Sequence, residues 1–237
     1  MTTSDTSNNE YNTFDAAFFA ACSAIGLHNI SKSHIERMWS HFCRVVEVNR
    51  QFNLTRITSP ADAAVKHYAD SLTLLAAPWI STDQRLTVLD VGTGAGFPAV
   101  PLAIMCKEWR ITAIDGTAKK VRFVAETAEL LGLDNLRTLH ARAADLAGEQ
   151  PESFDLVLMR AVTKLAEGLK EVNSLIAPGG AVVFYKTSTI TDGELADGRK
   201  MAQKLGLQET SPVRITLPST EGPIERLLIR CQRSRSS

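Results

Sequence analysis

Residues 88–104 read VLDVGTGAGFPAVPLAI: an apolar run, an acid, three alternating glycines, then a second apolar run that opens with proline. That order predicts a buried strand, a turn that only glycine tolerates, and a helix starting near Pro98. A strand–turn–helix of this kind belongs to a parallel sheet covered by helices, with the turn at the carboxyl edge where open α/β sheets hold their ligands. The dinucleotide fingerprint GxGxxG would place its third glycine where Phe97 stands. Gly92, Gly94 and Gly96 instead read GxGxG, and a ring at Phe97 argues against a pyrophosphate lying across the helix start.

The surrounding chain supports such a sheet. From Leu86 onward, short apolar runs (LTVLDV, ITAID, LRTLHA, FDLVLMR, GGAVVFYK) alternate with helical segments predicted near 98–106, 118–132, 164–176 and 192–205. PVRITLP and IERLLIR then follow without an intervening helix and read as an antiparallel hairpin at a sheet edge. The expected fold is α/β: a doubly wound, seven-stranded sheet of the methyltransferase type with an N-terminal helical extension. The extension is predicted over 14–80, from FDAAFFAACSAIGL, from the stripe Ile35, Met38, Trp39, Phe42, Val45 and Val46 with Ser33 as a cap, and from a third helix running from Ser59 and Pro60 to Leu75. Residues 1–13 are expected to be disordered. Residues 81–237 are expected to form the ligand-binding domain, in one compact unit with the extension.

The 26 basic and 26 acidic side chains balance, so a nucleic-acid partner must be met by local patches. Candidates are Arg44, Arg50, Arg56 and Lys66, then Lys119, Lys120 and Arg122, then the tail from Arg230 through Arg233 to Arg235; solvated helix faces are the plainer reading. The four cysteines form no CxxC pair, which suggests neither a zinc knot nor a disulfide framework and fits a reducing cytoplasm. No stretch is long and apolar enough to span a bilayer, and no metal site is expected.

The residues around the turn define a candidate site. An acid two positions before the first glycine, Asp90, together with GxGxG, is the pattern of S-adenosylmethionine-dependent methyltransferases. Asp90 either accepts from the ammonium group of such a ligand or holds the turn. Asp115 ends the second strand, where a carboxylate can take both hydroxyls of a ribose. Ala143 and Ala144 open a helix where backbone amides can reach an adenine edge. Arg160 ends the fourth strand, facing the reacting group; the alternative is a surface arginine paired with Asp155 or Glu167. The chain lacks both the Asn/Asp-Pro-Pro-aromatic run of enzymes that methylate exocyclic amines and a placed cysteine nucleophile for pyrimidine carbon. Arg142 and Lys186 are candidates for phosphate contacts. His67 and Asp70, three apart, either reach over the pocket or form a mutually satisfied pair.

NLTRI at 53–57, KHYADSL at 66–72, the glycine turn, KKVRFV at 119–124, HARAAD at 140–145 and FDLVLMRAV at 154–162 together resemble the bacterial glucose-inhibited division protein B family, also called ribosomal RNA small subunit methyltransferase G. The early blocks are the specific part, since many methyltransferases share the turn. The resemblance implies transfer of a methyl group from S-adenosyl-L-methionine to N7 of a guanine in 16S ribosomal RNA. It also implies cofactor contacts at Gly92, Phe97, Asp115, Ala143, Ala144 and Arg160. The expected partner is 16S ribosomal RNA or the small ribosomal subunit, met by a cytoplasmic monomer. The chain departs from the family pattern at Ala99, Gly116, Ala144 and Thr187. Other readings are a methyltransferase of small molecules or proteins, a non-catalytic RNA module, and a nicotinamide-dependent reductase, the last disfavoured by Phe97.

Overall fold

A computed structural model describes residues 3–160 and 163–235 of the 237-residue chain. Three helical segments come first: α1 (Thr3–Ala24), α2 (Lys32–Asn49) and a continuous run made of α3 (Pro60–Ala63), a π-helical stretch (Ala64–Ala69), α4 (Asp70–Leu72) and a 3-10 turn (Thr73–Ala76). The disorder expected over 1–13 gives way to helix from Thr3 onward; Met1 and Thr2 lie outside the described residues. Further along the helix, Tyr11 meets Trp39 edge to face at 5.8 Å, and Phe14 packs among Phe18, Trp39, Phe42 and Tyr68. The cap of α2 is Ser31 rather than Ser33: its hydroxyl accepts from the His34 amide, and the His34 ring accepts from the Ser31 amide. The histidine takes the part that Glu or Gln plays in the usual reciprocal cap. Ser59 caps α3, with Pro60 in the first turn.

The α/β part runs β1 (Thr87–Val91), α5 (Ala99–Met105), β2 (Arg110–Asp115), α6 (Ala118–Leu130), β3 (Leu136–His140), α7 (Ala143–Glu149), β4 (Phe154–Arg160), α8 (Leu165–Val172) with a 3-10 turn, and β5 (Ile176–Thr187). It then closes with α9 (Asp192–Lys204), β6 (Leu207–Glu209), β7 (Val213–Leu217) and β8 (Ile224–Arg233). The sheet order is β3-β2-β1-β4-β5-β8-β6, with β7 also on β8. Strands β1 to β5 are mutually parallel and β8 is antiparallel to β5. Eight strands therefore fill seven positions. Pairing with β8 stops at Glu209↔Cys231 and resumes at Val213↔Leu228, so the outer strand carries one extra residue, a bulge at Thr210–Pro212. The segment Leu207–Glu209 was too short to read as a strand, and β8 lies inside the sheet, with the hairpin partner β7 outside it.

Alternation along the strands sends residues to opposite faces. Val88, Leu156, Leu158 and Val183 join the cluster built with the N-terminal helices, α5 and α6, whereas Leu89, Val157, Met159 and Val182 join the cluster under α7, α8 and α9. The extension thus shares a continuous apolar core with one face of the sheet. No helix among the described residues is long and apolar enough to cross a membrane.

Candidate active site

The strand order reverses between β1 and β4, and Val91 and Arg160 end those strands. The glycine turn fills this switch point, with φ of +74° at Gly92, +59° at Gly94 and +93° at Gly96. The glycines divide by surroundings. A side chain at Gly94 would meet nothing nearer than the Gly92 carbonyl at 4.0 Å, so this position opens outward. At Gly96 it would stand 2.7 Å from Val100 and 3.5 Å from the His41 ring, so Gly96 serves packing. The amides of Gly92 and Thr93 both donate to the Ile114 carbonyl at 2.9 Å, tying the turn to β2.

Asp115, at the end of β2, accepts from the Gly94 amide at 3.1 Å and the Thr117 amide at 2.9 Å, with Lys120 at 3.8 Å. Asp90 lies on the same face of β1 as Val88. It is fully buried, and neither of its oxygens has a hydrogen-bond partner among the described residues. Burial pushes its carboxyl up to about 7, against the lowering influence of the Thr93 hydroxyl, the Ala99 backbone and Arg160. A desolvated carboxylate without a partner, beneath an open turn, suits a cationic ligand.

Arg160 is not the surface arginine that would pair with Asp155 or Glu167. Asp155 accepts from the Thr87 amide, and Glu167 accepts from the Thr163 hydroxyl. Arg160 faces inward: its Nη2 lies 2.8 Å from an Asp70 carboxylate oxygen and donates to the Lys66 carbonyl at 2.7 Å, while Nη1 donates to Ser71 Oγ at 3.2 Å. Arg226 donates to the other Asp70 oxygen, so one buried carboxylate joins two arginines of the sheet to the helical extension. The Nε hydrogen and one Nη1 hydrogen of Arg160 are left over.

His67 and Asp70 do not pair. They lie on or beside the π-helical stretch, where a turn takes more residues, so positions three apart are rotated away from one another. His67 instead stacks on Phe97, with ring centres 4.6 Å apart, and its Nε2 meets Thr55 Oγ1 at 2.7 Å. Burial, then Arg160, push its pKa down to about 3. At the same edge, Arg142 is exposed and lies across Gly116, while Ala143 is buried and Ala144 exposed. Lys186 is already engaged, donating to the Thr163 carbonyl at 2.6 Å and to Glu194 at 2.8 Å. Ala161 and Val162 of the 154–162 segment lie outside the described residues.

The family model for rRNA small subunit methyltransferase G matches residues 34–220. The chain belongs to that family. Ribosomal RNA small subunit methyltransferase G of Leuconostoc citreum is 35% identical over 86% of this chain and 85% of its own length. The Deinococcus deserti protein of the same name is 41% identical over 73% and 70%. Two solved structures share the fold. One is the YcgJ protein from Bacillus, with a TM-score of 0.57 at 14% identity over 72% of this chain and all of its own. The other is a 16S rRNA (adenine(1408)-N(1))-methyltransferase from Catenulisporales acidiphilia, with a TM-score of 0.54 at 17% identity over 65% and 92%.

In this member of the family, two residues that support the site carry no local signal: His41 beside the turn and Arg226 on Asp70. His41 of α2 is fully buried; its Nε2 meets the Ala95 carbonyl at 2.9 Å and its Nδ1 meets the Tyr68 hydroxyl at 3.0 Å. A carbonyl only accepts, so Nε2 carries the proton and Nδ1 accepts from Tyr68. Burial pushes the ring down to about 3 and keeps it neutral. In the sequence His41 is one residue of an apolar helical stripe. Arg226 likewise reads as an ordinary strand residue.

Proposed function

We propose that this chain transfers a methyl group from S-adenosyl-L-methionine to N7 of a guanine in the 16S ribosomal RNA of the small ribosomal subunit, acting as a monomer in the cytoplasm. The observation that carries this reading is the outward-facing Gly94 at the switch point, with Asp115 beside it and the unpartnered Asp90 beneath it. When bound, the cofactor supplies a methyl group already activated on a sulfonium centre. Guanine N7 presents an in-plane lone pair and no proton, so the chain needs neither a base nor a nucleophile. Its residues have to bind, orient and exclude water.

A cationic ligand favours the ionised form of the buried Asp90, whose proton is held only up to about pH 7, and Asp115 offers its remaining lone pairs to a vicinal diol. The backbone at Gly92 and Gly94 allows close approach, Gly96 lets the turn pack tightly on Val100 and His41, and the backbone at Ala143 and Ala144 borders the adenine side. Phe97, fixed between the His67 ring and the edge of Tyr68, forms a rigid apolar wall. Arg160 orients a carboxylate or phosphate with its two uncommitted hydrogens. Arg142 makes the phosphate contact at the rim, joined by the third hydrogen of Lys186. His67, neutral and stacked, contributes a surface rather than a charge.

The test supplies methyl-labelled cofactor to small ribosomal subunits and to deproteinised 16S RNA from cells lacking this protein, then maps N7-methylguanine by chemical scission. One modified guanine is the expected result. Label appearing in protein or small molecules, with the RNA unmodified, would overturn the reading.

A further inference from the structure

At the amino ends of β1, β4 and β5, the edge opposite the glycine turn, lies a cavity of about 440 Å³. Arg230 enters it from β8 with its guanidinium carbon 4.9 Å from the centre of the Trp79 ring. The buried Nε of Arg230 and Nε1 of Trp79 have no hydrogen-bond partner among the described residues. Buried donors are seldom left this way, because each forfeits its bonds to water. Burial lowers the pKa of Arg230, yet a guanidinium keeps its charge, so it calls for an acceptor rather than for loss of its proton.

Two further arginines line the cavity. Arg235 and Arg85 are both exposed, and Arg85 also pairs with Glu108 at 3.1 Å. The carboxylate in the lining, Asp155, has one oxygen occupied by the Thr87 amide at 2.8 Å. None of these groups takes part in the methyl transfer proposed for the opposite edge.

We infer that this cavity is a phosphate-binding site in which Arg230, held over the Trp79 ring, is the central contact and Arg235 and Arg85 close the rim. A phosphate has enough oxygens to accept from several guanidinium forks at once, which a single carboxylate lacks. The phosphate belongs either to a free anion or to an RNA backbone, and the two sources are separable by experiment.

Inorganic phosphate is added to the full-length protein at constant ionic strength, with thermal unfolding and tryptophan fluorescence as readouts. The expected result is a rise in Tm together with a change in emission. Arg230→Gln should lose both responses while circular dichroism shows it folded. Trp79→Phe should lose the emission change and keep the Tm shift. If Arg230→Gln does not fold, Arg230→Lys keeps the charge without the fork and should weaken phosphate binding about tenfold.

An RNA source predicts that the logarithmic salt slope of 16S RNA binding falls by about one in Arg230→Gln, since one phosphate contact is lost. An unchanged slope, with the phosphate response present in the unaltered protein, assigns a free anion. No phosphate-dependent shift in the unaltered protein, or an equal shift in Arg230→Gln, overturns the site.

Discussion

Arg160 shows how one side chain can carry two duties. Its fork holds Asp70, Ser71 and the Lys66 carbonyl, joining sheet to extension, and two hydrogens remain for a ligand. Lysine preserves the charge but replaces five donors in a planar fork by three on a single nitrogen, so it cannot meet Asp70, Ser71 and the Lys66 carbonyl and still keep hydrogens for a ligand. Arg160→Lys is therefore expected to cost about 1–3 kcal/mol of stability, the range for leaving buried polar groups unpaired. It should also lower methyl transfer into RNA by roughly one to two orders of magnitude, about 1.4 kcal/mol of barrier per tenfold. Methyl incorporation measured well below the variant's own Tm separates the two effects, and normal turnover there would take Arg160 out of the site.

The buried titrating groups make stability depend on pH. His41 and His67 titrate near 3 in the fold, against about 6.5 in an unfolded chain, so the unfolded state binds the extra protons between those values. Each histidine thus withdraws stability as pH falls below about 6.5, at roughly 1.4 kcal/mol per pH unit. Asp90, raised to about 7, acts in the opposite sense: its native form holds a proton that the unfolded chain releases above about 4. Two histidines against one aspartate leave a net loss on acidification from pH 6.5 to 5. Urea titrations across that window should show it, and Asp90→Asn should steepen the loss. A stability that is flat or rising toward pH 5 in the unaltered protein would contradict the buried, neutral histidines.

At the scale of elements, α2 and the π-helical stretch act on the glycine turn from outside the sheet. The His41 hydrogen bond to the Ala95 carbonyl, backed by Tyr68, fixes the turn in a place that the sheet alone does not dictate. His41→Phe keeps a ring among Phe97, Tyr68 and Phe123 but removes both polar functions, leaving a buried carbonyl and a buried hydroxyl unmatched. The expected loss is about 2–4 kcal/mol, from two unsatisfied groups, together with weaker cofactor binding. Calorimetric titration at a temperature where the variant is folded checks the second part. Unchanged affinity would show that the turn holds its shape without α2.

At the scale of the whole molecule, zero net charge is compatible with an RNA substrate only if the basic groups are unevenly placed. Several are neutralised by partners: Arg44 by Glu126, and Lys66 by Asp62 and Glu221. The expected basic tail is mostly strand, with Arg233 of β8 donating to the Asn173 and Ile176 carbonyls. Arg142 is left exposed at the carboxyl edge, and Lys119 stands exposed on α6 beside it. RNA affinity should accordingly fall steeply between low and physiological salt while cofactor affinity changes little. Filter binding of 16S RNA beside calorimetry of the cofactor measures both, and a flat RNA curve would favour a small-molecule or protein substrate.

Local sequence determined the elements whose signals are local: the glycine turn of Gly92 to Gly96, the five parallel strands, and helices marked by caps or apolar spacing. It also brought Asp90, Asp115, Arg142, Arg160 and Lys186 to the carboxyl half of the sheet, because each lies within or just beyond a strand whose direction is fixed by its crossover helix. The short β6 and its bulge carry too few residues for a periodic signal, and the polar stretch before Phe14 has no apolar stripe, only Tyr11, whose partner Trp39 lies in another helix. Tertiary structure alone decided what each charged group faces. Asp70 lies 156 positions from Arg226 and 90 from Arg160, and His41 lies 54 positions from Ala95. Burial leaves such groups no water to bond, so their partners are whichever groups the packed core brings within reach.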